Sequence, residues 1–248
     1  LIQPVPGLGD LLQGFEGASH LRLRLEQILG QGVPGCGHLV QGGFQRHGFF
    51  LRRPLSVCDW DGGSMVLIYK VVGEGTARLS RMKPGAALDL LVGLGNGFDM
   101  SKSGNRPLLL GGGVGVPPLY GLAKRLVADG KRPIAALGFN AKKDAFYVDE
   151  FRALGVETFV STVDGTFGAK GFVTDAMKGV SYGYFYACGP EGMLRAVCGA
   201  TATDGQLSFE QRMGCGFGAC MGCSCKTKHG NRRICRDGPV LEKGEVIF

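Results

Sequence analysis

Between residues 107 and 139 two kinds of hydrophobic pattern alternate. "PLLLGG" (107–112) and "PIAALGF" (133–139) are almost unbroken apolar runs, the mark of strands buried on both faces. Between them Leu119, Leu122, Ala123, Leu126 and Val127 recur at the i, i+3, i+4, i+7, i+8 spacing that lays an apolar stripe along a helix, and Gly130 ends that helix. "VETFVSTVD" (156–164) and "YGYFYACG" (182–189) predict two more strands, with "FVTDAMKG" and "EGMLRAVCGA" as helices. Strands that alternate with helices predict a parallel sheet over residues 105–204.

The pattern changes on either side of this stretch. Residues 1–104 read as short strands and turns, with "MVLIYKVVG" (65–73) apolar and β-branched and a Lys-Pro-Gly turn opening "MKPGAALDLLVGLGNGF" (82–98). They predict an antiparallel barrel or sandwich. The first ~45 residues carry no clear strand signal, and 29–56 is rich in glycine. Residues 205–248 form a third unit around a cysteine loop. The expected architecture is therefore α+β and multi-domain, in three parts: 1–104, 105–204 and 205–248.

Composition sharpens two points. Glycine reaches 44 of 248 residues, in short runs bounded by apolar segments, which points to tight turns and close backbone approach. The nine cysteines are an odd number in a chain too large to need disulfide staples. Four (36, 58, 188, 198) are scattered and five crowd into 215–235, a distribution that suits a reducing, cytoplasmic compartment and a metal centre. The longest uncharged stretch, 107–123, is interrupted by glycines and by Pro117–Pro118, so no membrane span is expected. Much of the net charge of +7 lies in "KTKHGNRRICR" (226–236). Without interleaved aromatics it reads as a solvated face or a docking surface for an acidic partner, and nucleic acid is not expected.

The loop "RMGCGFGACMGCSC" (212–225) is the strongest chemical signal. Cys215-x4-Cys220-x2-Cys223, followed by Cys235, has the plant-type [2Fe–2S] spacing. Gly216 and Gly218 let the chain curl so that amides point at the sulfur atoms. Zinc is the alternative, although a zinc ribbon prefers two Cys-x2-Cys knuckles and only Cys220/Cys223 is present. Cys225 is surplus and is expected to point away. "LLLGGGVGVPPL" (108–119) runs strand, Gly113-x-Gly115-x-x-Pro118, helix, a context for a dinucleotide pyrophosphate; a plain tight turn is the alternative. "LRRPLSV" (51–57) sets Arg53, Pro54 and Ser56 on one extended piece, where arginine can pair with a phosphate and the hydroxyl can reach a flavin ring nitrogen.

With "YKVVGEGT", "LGNGF", "DGTFGAKGFVTD", "CGPEGM" and "CRDGPV", these stretches resemble the ferredoxin–NADP reductase superfamily, and within it the electron-transfer subunits of NAD-linked dihydroorotate dehydrogenases. The resemblance spans ~50–248. It implies an FAD-binding barrel, with FAD held by Arg53, Pro54, Leu55 and Ser56 and completed by Ile68, Tyr69, Lys70, Gly75 and Thr76. It implies NAD(H) at Gly111, Gly112, Gly113, Gly115, Gly189, Pro190 and Met193, with Cys188 near the reacting nicotinamide carbon, and cluster ligation by Cys215, Cys220, Cys223 and Cys235. The implied role is a wire from nicotinamide through FAD to the cluster. The implied partner is an FMN-bearing dihydroorotate dehydrogenase catalytic subunit of pyrimidine biosynthesis, in a heterotetramer of two of each. Members of this branch carry a Pro-Gly-Gln-Phe-like strand just before the "RRPLS" segment, and this chain does not. The other readings are a reductase subunit of another ferredoxin- or sulfide-linked NAD(P)H oxidoreductase, a relative that has lost FAD, and a zinc-bearing binding module.

Overall fold

A computed structural model describes residues 2–3, 18–24, 39–43 and 51–248 apart from 62 and 87, the first three stretches as backbone alone. Two sheets and a small hairpin make up the described fold. The first sheet contains β1 (Ile2–Gln3), β2 (Ala18–Arg24), β3 (Leu39–Gly43), β4 (Arg53–Trp60), β5 (Ser64–Lys70) and β6 (Asp89–Leu94). Its order is β1-β2-β5-β4-β3-β6 and every pairing is antiparallel. Although the first ~45 residues show no clear strand signal and lack the Pro-Gly-Gln-Phe-like stretch, β3 stands just ahead of the Arg53 strand. β3 pairs with both β4 and β6, so its extended conformation is imposed by two flanking strands and not by its own glycine-rich composition.

A helix that the pattern did not predict, α1 (Glu74–Ser80), follows β5. Its start is closed locally. The Thr76 hydroxyl accepts from the amides of Val72 and Gly73 at 3.0 and 3.2 Å and donates to the Gly73 carbonyl at 3.0 Å.

The second sheet is built as the alternation requires. Its strands are β7 (Leu108–Gly112), β8 (Ile134–Phe139), β9 (Glu157–Thr162), β10 (Ala169–Lys170), β11 (Phe185–Cys188), β12 (Gly205–Ser208) and, beyond the cysteine loop, β15 (Val240–Glu242). The order is β10-β9-β8-β7-β11-β12-β15, parallel except for the antiparallel edge β15. Strands from the stretch after residue 204 thus complete this sheet. The hairpin between them is β13 (Ser224–Thr227) with β14 (Gly230–Arg233).

Alternate residues of the buried strands feed two cores. Leu109, Ala135, Leu137 and Tyr186 face α2 (Val116–Ala128) and α3 (Val148–Ala153), together with Cys58 and Ile68 of the first sheet. The apolar stripe of α2 therefore fills the seam between the two sheets, and Lys124 reaches from it to Asp59 of β4 at 2.6 Å. On the opposite face Leu108, Leu110, Ile134, Ala136 and Phe185 pack on α4 (Val173–Ala176) and α5 (Glu191–Ala200), and on Cys223 and Cys235. Cys223 and Cys235 are thereby sealed against the second sheet. Among the described residues no helix is long and apolar enough to cross a membrane.

Candidate functional site

Three separately predicted segments meet in one cleft of about 580 Å³. Leu51–Pro54 form one wall, Gly189–Glu191 with Leu194 a second, and Phe209–Met213, which lead into the cysteine loop, a third. β4 and the turn after β11 supply the first two walls because α2 joins the two sheets. Arg53 crosses towards α1: a Cβ on Gly75 would stand 2.2 Å from its Nε, so a side chain there would displace the guanidinium. Its Nη1 also donates to the Leu51 carbonyl. Gly75 and Thr76 occupy the first turn of α1, where the predicted open turn would have been, and Thr76 is buried in its own cap. Leu55, Ile68 and Tyr69 are core residues and Lys70 is exposed, so β5 flanks the cleft strand without reaching the cleft.

The two nucleotide segments lie side by side because β7 and β11 are adjacent. Gly113–Gly115 form a single 3-10 turn that opens α2, with Pro at the helix start. The turn packs directly on 188–193: a Cβ at Gly115 would meet the Cys188 carbonyl at 2.1 Å, and one at Gly112 would meet Met193 Sδ at 2.4 Å. Cys188 is buried at the end of β11, opposite Ser208 of β12. Burial pushes its thiol up to about 12, against a smaller opposing effect of a hydrogen bond with Ser208. It is therefore a neutral thiol at physiological pH, in no sense an activated nucleophile.

The four cysteines of the predicted spacing form two pairs. Gly216 and Gly218 take positive φ (81° and 92°), and the loop between them turns amides onto Cys215. Ala219 N–H and Cys220 N–H donate to Cys215 Sγ at 3.2 and 3.4 Å. The Cys220 amide first, then those of Phe217 and Ala219 and the Cys220 thiol, hold Cys215 down to about 6. Cys223 and Cys235 form the second pair inside the core, where Cys235 N–H donates to Cys223 Sγ at 3.4 Å. Burial, then the Cys223 thiol beside it, raise Cys235 to about 12. Cys235 sits on α6 (Ile234–Asp237). Arg233 ties the halves together: Nη1 donates to the Gly218 carbonyl at 3.0 Å, while Nε and Nη2 reach the Asp237 carboxylate at 3.0 and 3.3 Å.

Cys225 lies on β13, half-buried against the second core. The basic segment folds into the β13–β14 hairpin, where Arg233 is internal and Lys226, Lys228 and His229 are exposed. Cys36 lies outside the described residues. Sequence reasoning gave no role to Glu210 and Arg212, which bring two charges to the cleft; Glu210 belongs to no motif and Arg212 only opens the cysteine stretch, and the placement of β12 beside β11 delivers both.

Comparison with known proteins bears on the same segments. Residues 109–199 match the oxidoreductase NAD-binding domain family, and residues 210–247 match the iron–sulfur cluster binding domain of dihydroorotate dehydrogenase B. The electron transfer subunit of dihydroorotate dehydrogenase B (NAD(+)) from Bacillus mycoides is 46% identical over 210 residues, covering 80% of this chain and 81% of that one. The subunit of the same description from Geobacillus sp. is 47% identical over 208 residues, with 80% of each chain covered. Among solved structures, an NADH-dependent reduced ferredoxin–NADP oxidoreductase studied for flavin-based electron bifurcation superposes with a TM-score of 0.84 at 28% identity, over 94% of this chain and 86% of that one. A ferredoxin–NADP+ reductase from Neisseria gonorrhoeae shares the fold, with a TM-score of 0.61 at 13% identity over 76% of this chain and 85% of that one. Identity of this level over four fifths of both chains places the protein in the family of dihydroorotate dehydrogenase B electron transfer subunits.

Proposed function

We propose that this chain passes electrons between a nicotinamide nucleotide, an FAD and a [2Fe–2S] cluster, and exchanges them with an FMN-bearing catalytic subunit that interconverts dihydroorotate and orotate. The observation that carries the reading is the shared cleft: the Arg53 strand, the turn after Cys188 and the approach to Cys215 line one cavity. Three cofactors that must exchange electrons need such neighbouring berths.

The donor chemistry of the residues supports this reading. Paired thiols, Cys215 with Cys220 and Cys223 with Cys235, match the demand of two irons for two thiolates each, and match a single zinc less well. The amides turned onto Cys215 stabilise its thiolate and supply the donors that sulfur ligands require. Arg53 offers a fixed positive charge to a flavin pyrophosphate beside Gly75, Pro54 lines the same cleft, and Leu55 and Ser56 continue the strand that carries them. Ile68–Lys70 and Gly75–Thr76 act behind that wall: β5 pairs with β4, and Gly75 lies against the Arg53 guanidinium. Gly111–Gly115 and the Gly189–Met193 turn receive the nucleotide at the α2 start. Cys188, buried and neutral, lines the nicotinamide position without placing a charge there.

When bound, these groups supply hydride transfer and single-electron transfer, chemistry that no side chain here supplies. The chain binds and orients them and seals the Cys223–Cys235 side from water. In this reading 1–104 is the flavin unit, closed as a barrel, 105–204 the nucleotide unit and 205–248 the cluster unit, threaded back into the nucleotide sheet. The test is anaerobic purification with iron and acid-labile sulfide assays, EPR of the dithionite-reduced sample, and absorption spectra with and without NADH. Flavin and cluster bands that bleach with NADH are expected. One zinc and no iron, or iron without flavin, would overturn the reading.

A further inference from the structure

Past the end of β6 the chain carries a clamp that none of the cofactor segments uses. Asn96 N–H donates to the Gly238 carbonyl at 2.6 Å. Its side-chain Nδ2 donates to the Val240 carbonyl at 2.9 Å, and its Oδ1 accepts from the Val240 N–H at 3.0 Å. One amide side chain thus satisfies both backbone groups of a residue 144 positions away, as a neighbouring strand would. The fit is close: a Cβ at Gly95 would stand 2.0 Å from the Gly238 oxygen. Leu94 is buried in the same core as Cys223, Ile234 and Cys235.

The two ends of the clamp are informative. Gly238 directly follows α6, the helix that presents Cys235. Asn96 follows β6, which is hydrogen-bonded through β3 to β4, the strand of Arg53–Ser56. Between the same two regions lies the open cleft, which by itself does not fix their separation.

We propose that Asn96 is a positioning residue: it holds the Cys223–Cys235 half of the cysteine centre at a set separation from the flavin sheet and so governs electron passage between them. This rests on the function proposed above. Transfer between two held groups depends steeply on their separation and orientation, and a displacement of about an ångström costs rate without removing either group.

The test uses Asn96→Ala and the near-isosteric Asn96→Asp, each purified anaerobically in complex with the catalytic subunit. Asn96→Asp keeps the acceptor for the Val240 amide and sets a carboxylate against the Val240 carbonyl. On rapid mixing with NADH, flavin bleaching is expected at the wild-type rate and cluster bleaching about tenfold slower. The EPR line shape of the reduced cluster changes while iron content stays at the wild-type level. Wild-type cluster rates and line shape in an iron-replete variant overturn the proposal. If Asn96→Ala loses iron, Asn96→Asp decides; loss of iron from both assigns Asn96 to retention of the cluster and also overturns it. Wild-type complex without iron and sulfide overturns the underlying function instead, so the two failures are distinct.

Discussion

Cys215 and Cys220 stand on a loop open to solvent, whereas Cys223 and Cys235 are sealed beneath the nucleotide sheet. The first pair is organised by backbone: glycines at 216 and 218 turn amides inward, and Cys215 is held down to about 6. The second is organised by packing against Leu108, Ile134 and Met213, and Cys235 is driven up to about 12. One half is therefore prepared for negative charge in the metal-free chain, and the other must lose its proton when metal arrives. A centre divided in this way joins a local loop to a global core, and Arg233 is the joint.

The contrast is broken most directly by alkylation of metal-free protein. Cys215 should react with iodoacetamide at neutral pH with a midpoint near 6, and Cys235 orders of magnitude more slowly until the chain unfolds, as read by peptide mass mapping. The sign for stability follows the same value. Because the folded Cys215 lies below its ordinary 9.0, its contribution is complete above that value and is lost as pH falls through about 6. Equal reactivity of the two cysteines would end the comparison.

Next in size, Cys235→Ser places a hydroxyl in the apolar core and should cost the metal-free chain about 1–3 kcal/mol, measured by urea unfolding. Cys215→Ser on the open loop should abolish the fall in stability near pH 6 and leave the acid-side stability close to that of the parent chain, although both variants lose cluster iron. Gly218→Ala sharpens the loop side. It must hold φ at 92° with its Cβ 2.8 Å from Arg236 Cδ, a cost of about 1–2 kcal/mol in the same assay. The smallest effect belongs to the joint. Hydrogen bonds from the Arg233 side chain and backbone amide hold the Asp237 carboxyl below its usual 3.8, so the pair stabilises the chain above that value. The contribution is lost as pH falls through the depressed folded value, is worth less than about 1 kcal/mol, and should vanish from the acid limb in Asp237→Asn.

Legibility in the sequence followed the range of the forces. α2 was readable because its apolar stripe recurs from Leu119 to Val127, the strands β7, β8 and β11 because each is an apolar run, and β9 through its β-branched and aromatic residues. α1 was not: "GEGTARLS" has two glycines, no sustained stripe, and a cap made by Thr76 that read as a turn. The glycines at 112 and 115 were visible as a turn signal, but their steric reason is the approach of residues 188–193 from another strand. Glu210 was invisible, since nothing local distinguishes "SFEQ" from any loop, and Arg212 was visible only as the start of the cysteine stretch.

Spacing and residue type alone singled out the four cysteines as candidate ligands, the glycine turn at a helix start and the parallel alternation. All three depend on groups within a few residues of one another, where covalent connectivity limits the geometry. Only the tertiary structure decided that Arg53, the Cys188 turn and the approach to Cys215 share a cleft, that the four thiols divide into an open and a sealed pair, and that Asn96 grips the backbone beyond Cys235. Those are contacts between segments far apart in the chain. They are selected by which apolar faces can be buried together, a property of the whole packed core that no local pattern encodes.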